Sequence, residues 1–271
     1  MAFAIHLRKT GLCILSASKA PDQHAPVGGY AVFSKSVPYY DKFCASKDYQ
    51  AETQRLVAII REHVRSGGNR LLDVACGTGQ HIELLKEHFA VEGLDISEAF
   101  LELARQRNPD VVFHQADMIH FELGRRFDVI TCLFSSIGYV RTLENLSRAI
   151  NCMAQHVVSG GIVLVEPWFT PDAWHPGTVH AQFIDEPELK IARINASFAE
   201  GRLSYFDLHH LVGTPEGTEH FVERHEMGLF EQSEMVAAFE NTGLEVSYDK
   251  EGLIGRGLYI GRLRNDRKSG A

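Results

Sequence analysis

The chain has 271 residues, 45% of them hydrophobic, and carries 35 acidic against 27 basic side chains, which gives a formal net charge of −8 at pH 7. An acidic balance without a cluster of basic and interleaved aromatic residues argues against a nucleic-acid platform. No apolar run of the sequence approaches the roughly 18 residues that a membrane-spanning helix needs.

Residues 1–29 are predicted to be a mobile N-terminal lead-in. Arg8 and Lys9 stand between two short apolar stretches, which is not the charged-then-apolar order of a signal peptide. Serine and basic residues, with almost no acid before Asp22, leave a transit peptide as the alternative.

After this segment, helical and extended patterns alternate. Helices are indicated by apolar residues at helical spacing, and strands by short apolar runs that end at glycine or an acid. The predicted order is a helix after 47–49 that runs to 64, strand 70–75, helix 80–88, strand 90–95, helix 97–107, strand 111–114, strand 127–134, helix 143–156 and strand 162–166, which a glycine pair precedes. This alternation predicts an α/β fold, a parallel sheet with helices on both faces.

The pattern changes after Pro167. Short alternating segments between 177 and 229, separated by turn signals, predict an inserted antiparallel sheet. A helix over 233–241 and strands over 244–248 and 258–263 then close the main sheet. The predicted organisation is a lead-in at 1–29, a main domain at 30–170 and 231–264, an inserted sheet at 171–230 and a tail at 265–271.

The most informative motif is the glycine-rich turn after the first strand. Residues 71–79 read Leu-Leu-Asp-Val-Ala-Cys-Gly-Thr-Gly, and Gly-Leu-Asp follows at 93–95. Glycine lets the chain turn tightly and lets a ligand approach the backbone. A carboxylate at the end of the next parallel strand, here Asp95, can accept both hydroxyls of a ribose.

Two phosphate-binding interpretations of this turn are weak. A P-loop would need Gly-Lys-Ser/Thr, whereas Gln80 and His81 follow Gly79. A dinucleotide fingerprint would need a third glycine where Ile82 stands. The turn therefore predicts a cofactor with ribose and adenine but few phosphate contacts. S-adenosylmethionine fits, with Asp73 near its methionine end.

Further candidate residues follow the other strands, at the sheet edge where ligands of such folds bind. They are Ala75, Gly77 and Gly79 after the first strand, Asp95 and Ile96 after the second, Asp117 and Met118 after the third, residues 133–139 after the fourth, and Glu166, Pro167 and Trp168 after the fifth. Asp117 is expected to accept a hydrogen bond from the adenine amine, and Met118 to pack on the ring. Their joint placement predicts one site at this edge.

The cysteines and histidines indicate reduced thiols and no metal site. The five cysteines are odd in number, widely spaced and without a CxxC pair, which is typical of a cytoplasmic protein. His209 and His210 are neighbours on a predicted strand, so their side chains should point to opposite faces. No cysteine, histidine and carboxylate set has the spacing of a metal site.

Over residues 30–261 the chain resembles the S-adenosylmethionine-dependent N,N-dimethyltransferases that act on nucleotide-linked 3-amino-deoxysugars in macrolide antibiotic biosynthesis. The resemblance is carried by 71–79, Glu-Gly-Leu-Asp at 92–95, Phe-Ser-Ser-Ile-Gly at 134–138, Val-Glu-Pro-Trp at 165–168, Gly-Arg-Gly-Leu at 255–258 and Lys-Asp-Tyr at 47–49. It implies a class I methyltransferase (Rossmann-like) fold with a seven-strand sheet. It also implies a homodimer formed through the inserted sheet.

The resemblance, with the motifs above, assigns the site residues. The cofactor residues are Tyr40, Tyr49, Asp73, Ala75, Gly77, Gly79, Asp95, Ile96, Asp117, Met118 and Leu133. The residues facing the sugar nucleotide are Tyr30, Gly138, Tyr139, Glu166, Trp168, Arg193 and Arg256. Some relatives carry histidine where this chain has Tyr139, so a proton-accepting role for that histidine does not transfer.

Methyl transfer is an in-line displacement that needs an unprotonated amine held against the sulfonium methyl group. Orientation can supply up to about 7–11 kcal/mol, whereas a general base adds about 10²–10⁴ in rate. We therefore expect no indispensable base. Tyr139 and Tyr30, the predicted catalytic residues, would position the amine, and water or Tyr139 would take its proton. Arg256 suits a diphosphate, with a surface salt bridge as the alternative interpretation.

Two other functions remain compatible with the sequence. One is methylation of a different small-molecule amine or hydroxyl in natural-product metabolism. The other is a catalytically silent binding or dimerisation module that kept the fold.

Overall fold

The computed structural model describes residues 33–264. Its helices are α1 (Tyr40–Phe43), α2 (Tyr49–His63), α3 (Gln80–Leu85), α4 (Glu98–Arg107), α5 (Leu143–Gln155) and α6 (Gln232–Glu240). Its strands are β1 (Arg70–Val74), β2 (Ala90–Asp95), β3 (Val112–Gln115), β4 (Phe127–Cys132), β5 (Val157–Val165), β6 (Val179–Glu186), β7 (Leu189–Glu200), β8 (Leu203–Thr214), β9 (Gly217–Gly228), β10 (Leu244–Asp249) and β11 (Leu258–Leu263). Two 3₁₀ helices span Val37–Tyr39 and Ser136–Val140.

The main sheet has seven strands in the order β10-β11-β5-β4-β1-β2-β3. The pairs from β5 to β3 are parallel, whereas β11 is antiparallel to both of its neighbours. This confirms the predicted class I methyltransferase fold. The strand order reverses between β1 and β4, and a ligand crevice is expected at the carboxyl ends of strands on either side of such a point.

Two helices begin close to the residues that the sequence predicts, because polar side chains cap their first turns. Asp48 accepts a hydrogen bond from the backbone of Ala51, and Ser97 does so from Phe100 at the start of α4. The central strand β4 is buried at every position. Apolar residues on both faces of the sheet form two core clusters, as expected of a sheet covered by helices on both sides.

Several predicted boundaries were wrong. The third helix ends at Leu85 rather than at 88. The fourth strand ends at Cys132 rather than at 134 because Phe134 and Ser135 adopt left-handed φ angles of 52° and 59°. The fifth strand begins at Val157 rather than at 162, and the glycine pair at 160–161 lies inside it where the register shifts, not in a turn before it.

The second sheet consists of β6 to β9, all antiparallel, in sequence order. Its outer face carries Phe183, Ile194, Leu211 and Val222, whose side chains are exposed. Its inner face carries Arg193, His210, Glu223 and His225 together with apolar residues that pack on Phe43 and Tyr39. The inserted antiparallel sheet is therefore present, while the domain limits at 30, 170 and 231 stay predictions.

Residues 1–32 and 265–271 lie outside the described part of the chain, and so do the predicted lead-in, the tail and Tyr30. Within residues 33–264, none of the helices has the length and apolar character needed to cross a membrane.

Candidate active site

A cleft opens at the carboxyl ends of β1 and β4. It is lined by Tyr40, Tyr49, Asp73, Ala75, Cys76, Gly77, Thr78, Gln80, His81, Leu133, Phe134 and Ser136. The structure thus brings together six predicted cofactor residues, which are Tyr40, Tyr49, Asp73, Ala75, Gly77 and Leu133. Cys76, Thr78, Gln80 and His81 were not predicted to line it, although they lie within the same turn or directly after it.

The floor of the cleft is the glycine-rich turn, whose backbone is in the left-handed region at three positions. Ala75, Gly77 and Gly79 have φ angles of 57°, 55° and 73°. A Cβ on Gly79 would also come within 2.9 Å of the side-chain nitrogen of Asn108. Gly79 begins α3 and does not itself line the cleft, so its role is to let the chain turn there.

Asp95 fixes the turn from the end of β2. Its Oδ2 accepts a hydrogen bond from the Gly77 backbone at 2.8 Å, and its Oδ1 accepts one from Ser97 at 2.9 Å. Burial raises the pKa of Asp95, and these backbone donors oppose that rise. Each carboxylate oxygen has two lone pairs, so further donors such as ribose hydroxyls can still bind. The next residue, Ile96, is 64% exposed.

Asp73 is a buried carboxylate on the wall of the cleft. Burial raises its pKa to about 6, despite the opposing effects of His81 and of a hydrogen bond from the Thr131 hydroxyl at 2.7 Å. A carboxylate with a raised pKa is one whose negative charge is poorly compensated. This observation fits a cationic ligand group, such as a sulfonium or an ammonium, beside Asp73.

An ionic network that sequence reasoning missed lies behind the cleft. Glu52, on α2, is 4% exposed and forms ion pairs with Lys47 and with His81 Nε2, the latter at 3.0 Å. The Lys47 ammonium also lies 4.8 Å from the ring centre of Tyr49 and 4.7 Å from that of Phe134. The Lys-Asp-Tyr signature is therefore connected to the cleft through charge and aromatic contacts.

A second missed contact ties α1 to the glycine-rich turn. Asp41 accepts hydrogen bonds from the Thr78 hydroxyl at 2.7 Å and from Arg107 at 2.6 Å. Arg107, the last residue of α4, also donates to the Thr78 carbonyl. Tyr40, next to Asp41, is thereby held over the cleft.

Asp117 and Met118 follow β3 but do not line the cleft. The Asp117 carboxylate accepts a hydrogen bond from the backbone of Ile119 at 3.0 Å, and Met118 packs against the core. Ala116 donates to the backbone carbonyl of Asp95 at 3.0 Å, so the pair sits beside the predicted ribose position. Their contact with adenine stays a prediction.

The acceptor side is built where the 3₁₀ helix after β4 meets the inner face of the second sheet. Tyr139 Oη lies 2.8 Å from Nδ1 of His225, and burial raises the pKa of Tyr139. A Cβ on Gly138 would come within 2.8 Å of Met227 and 3.0 Å of Trp168, so only glycine fits there without rearrangement. Trp168 donates to the Ser204 hydroxyl at 2.9 Å.

Arg256 lies beside this region, among aromatic side chains. Its guanidinium donates to Ser135 Oγ at 3.1 Å and lies 5.8–5.9 Å from the ring centres of Phe134, Trp168 and Phe169. Its charge also acts on the buried Glu166 carboxyl, whose pKa it lowers against the larger effect of burial. A guanidinium in an aromatic setting suits an anionic group of a ligand.

The remaining predicted substrate residues behave differently from one another. Glu166 is 1% exposed, and its Oε2 accepts a hydrogen bond from the Phe134 backbone at 2.6 Å. Arg193 does not lie beside Arg256. It lies on the inner face of the second sheet, with its guanidinium 3.9 Å from the ring centre of Phe43 and bonded to Gln182.

Comparisons with known proteins agree with this geometry. A methyltransferase-domain family matches residues 71–161. The dTDP-3-amino-3,4,6-trideoxy-alpha-D-glucopyranose N,N-dimethyltransferase of Streptomyces venezuelae is 40% identical over 226 residues, or 82% of this chain and 95% of the relative. The dTDP-4-amino-2,3,4,6-tetradeoxy-D-glucose N,N-dimethyltransferase of Saccharopolyspora spinosa is 38% identical over 220 residues, or 81% of this chain and 88% of the relative.

A solved structure has a similar fold. The crystal structure of Streptomyces venezuelae DesVI matches with a TM-score of 0.78 and 38% identity, covering 86% of this chain and all of that one. The sequence similarity extends over nearly the full length of a relative, and the cleft lies where this fold binds its ligands. The chain therefore belongs to the family of S-adenosylmethionine-dependent N,N-dimethyltransferases of dTDP-linked amino-deoxysugars.

Proposed function

We propose that this protein N,N-dimethylates the amine of a dTDP-linked amino-deoxysugar, with S-adenosylmethionine as the methyl donor. The observation that carries the proposal is the 40% identity along 95% of the length of a relative named for that reaction. Relatives are named for 3-amino and for 4-amino sugars, so the position of the amine is a question for experiment.

The residues of the cleft fit S-adenosylmethionine. Asp95 would accept the ribose hydroxyls, and Asp73 would compensate the cationic methionine end, since burial leaves its own charge only partly compensated. When bound, S-adenosylmethionine supplies a methyl group on a positively charged sulfur, which needs no activation by the protein. The protein must hold the amine in line with that methyl group. Such orientation can lower the activation free energy by up to about 7–11 kcal/mol.

On the acceptor side, two regions would bind different parts of the sugar nucleotide. Arg256 would bind the diphosphate, because its guanidinium lies beside the acceptor region and can donate two parallel hydrogen bonds. Tyr139 would orient the amine, at the contact between the 3₁₀ helix and the second sheet. Tyr30 keeps its predicted role as a second positioning residue.

The proposal is tested by mass spectrometry of reactions that contain purified protein, labelled S-adenosylmethionine and a panel of dTDP-linked 3-amino and 4-amino sugars. Successive gains of one and two methyl groups on one panel member are expected. If cofactor binding is verified in the same sample and no member gains mass, the sugar assignment falls. The alternatives are then another amine or hydroxyl acceptor, or a silent module.

We also propose a homodimer that forms through the outer face of the second sheet. Phe183 is 72% exposed there, and Ile194, Leu211 and Val222 are 42–49% exposed on the neighbouring strands. Several large exposed apolar side chains on one face are typical of a protein interface. Because the inner face of the same sheet packs near Tyr139, such a dimer would leave the acceptor side unblocked.

A cytoplasmic location is part of the same proposal. Four of the cysteines, Cys44, Cys76, Cys132 and Cys152, are free thiols, which is usual in a reducing compartment.

A further inference from the structure

The Tyr139 side chain is held by a histidine from the second sheet. Tyr139 Oη lies 2.8 Å from Nδ1 of His225, although the two residues are 86 positions apart in sequence. His225 is 1% exposed, and its ring is stacked on Phe206 with 5.4 Å between centres and an interplanar angle of 5°. Phe33 packs on it edge to face at 4.6 Å. The orientation of the imidazole is thus set by packing.

The protonation state and the tautomer of His225 together determine the direction of this hydrogen bond. Burial lowers its pKa to about 4, with Glu223 opposing the shift and Arg193 and His210 adding to it. The imidazole is therefore neutral near pH 7, and one of its nitrogens is an acceptor. Phenol is the stronger acid of the pair and imidazole the stronger base. Nε2 of His225 is buried and has no hydrogen-bond partner among the described residues, so only the contact at Nδ1 bears on the tautomer. With the ring proton on Nε2, the Tyr139 hydroxyl donates to Nδ1.

We propose that His225 is a positioning residue for methyl transfer: by accepting the hydroxyl proton of Tyr139, it leaves the Tyr139 oxygen to accept an N–H of the acceptor amine. An amine held through its N–H keeps its lone pair for the methyl donor. A hydroxyl that instead donated to the amine would occupy that lone pair. The inference rests on the proposed function, because it takes Tyr139 to face the acceptor amine.

Two polar substitutions separate this role from simple space filling. Asparagine carries its carboxamide on Cγ, the atom to which Nδ1 is bonded in histidine, whereas glutamine carries it one carbon further, nearer the position of Nε2. We expect His225→Asn to keep kcat within about threefold of the wild type, and His225→Gln and His225→Leu to lose about tenfold, the value of one hydrogen bond. The KM for S-adenosylmethionine should not change. Equal kcat values for the asparagine and glutamine variants would overturn the proposal.

A double-mutant cycle tests whether His225 acts through Tyr139. If it does, His225→Leu lowers kcat about tenfold in the wild type but causes no further loss in the Tyr139→Phe background. An equal loss in both backgrounds overturns the proposal. The control is His156→Leu, since His156 is also buried and hydrogen-bonded, to Cys152 and Leu123, but at the opposite end of the sheet. This control should lower the melting temperature without changing kcat.

A readout without any substrate keeps the proposal testable even if these variants fold poorly. Nitrogen-15 NMR of the histidine side chains of the wild type should show His225 with an unprotonated Nδ1 and a protonated Nε2. The Nδ1 signal should shift in Tyr139→Phe. A protonated Nδ1 would overturn the inference. Failure of the proposed function is seen separately, as a wild-type enzyme that methylates no member of the sugar-nucleotide panel.

Discussion

The raised pKa of the Asp73 carboxyl predicts that cofactor binding depends on pH. Its pKa is raised to about 6 by burial, so it is ionised at pH 8 and becomes neutral as the pH falls below 6. A neutral Asp73 no longer attracts a cationic methionine end. We expect the Kd for S-adenosylmethionine, measured by calorimetry, to be constant from pH 8 to 7 and to rise by up to about tenfold per pH unit below 6.

The same measurement on Asp73→Asn supplies the control. The amide cannot ionise. We therefore expect the variant to bind S-adenosylmethionine more weakly than the wild type at pH 8, with a Kd that does not change near pH 6. A wild-type Kd that stays flat down to pH 5 would contradict the raised pKa.

Asp95 is the residue on which the ribose assignment depends. In Asp95→Ala the glycine-rich turn loses its carboxylate partner, and the ribose hydroxyls would lose their acceptor. Hydrogen bonds to charged groups are worth about 1.5–3 kcal/mol, so the Kd for S-adenosylmethionine should weaken by about 10- to 100-fold. The rise in melting temperature that S-adenosylmethionine causes should nearly disappear in this variant.

Asp110→Ala is the matched control for Asp95→Ala, because Asp110 is an exposed acid paired with Lys86. It should leave the ligand-dependent rise in melting temperature intact. If Asp95→Ala retains that rise, Asp95 does not bind the ribose. If the wild type lacks the rise, the result favours the silent-module hypothesis.

Hydrogen bonds of Asp41 tie helix α1 to the glycine-rich turn. Asp41 joins α1 to Thr78 and to the end of α4, and Tyr40 beside it lines the cleft. The ion pair of Asp41 with Arg107 is partly exposed, so this clamp adds little to global stability. Asp41→Ala should therefore weaken the binding of S-adenosylmethionine about tenfold, as two hydrogen bonds are lost, with a small change in melting temperature.

Calorimetry and thermal unfolding of the same samples decide this prediction. Glu144→Ala removes a surface ion pair with Arg148 on α5 and should change neither value appreciably. A large fall in melting temperature of Asp41→Ala with unchanged affinity would show that the clamp stabilises the fold and not the cleft.

Elements with clear local signals were predicted well, and those set by tertiary geometry were not. The bounds of β2, α4 and β11 were predicted to the residue or within one, because glycine, a capping serine or an acid marks their ends. The end of β4 was wrong because nothing in Phe134 or Ser135 signals a left-handed backbone.

The site divides in the same way. The predicted cofactor residues lie at or directly after the ends of strands, so the position of Asp73, Ala75 and Gly77 in the cleft could be predicted from the sequence. Glu52 could not, because it is a helix residue whose partners come from other segments. Neither could the contact of Tyr139 with His225, since no local pattern relates positions on different sheets.

For the molecule as a whole, the exposed apolar side chains on the outer face of the second sheet are the basis of the proposed dimer. Phe183→Glu places a charge at the most exposed of these side chains, where its desolvation in a dimer contact would be costly. We expect light scattering after gel filtration to give the mass of a dimer for the wild type and of a monomer for this variant. Leu143→Glu, at an exposed apolar position at the start of α5, should keep the wild-type mass.

Either of two results would contradict that prediction. A monomeric wild type excludes the dimer, and a dimeric Phe183→Glu variant places the contact on a different surface.

The two faces of the second sheet also constrain how this chain can change in length. Along β9, Val222 points outward while its neighbour Glu223 and then His225 point inward, because side chains of a strand alternate. Insertion or deletion of one residue within β9 would exchange the two faces beyond that point. Depending on its position, such a change would remove Val222 from the apolar surface or His225 from Tyr139. Relatives should thus tolerate substitutions along this strand but confine length variation to the turn at 215–216, which precedes it.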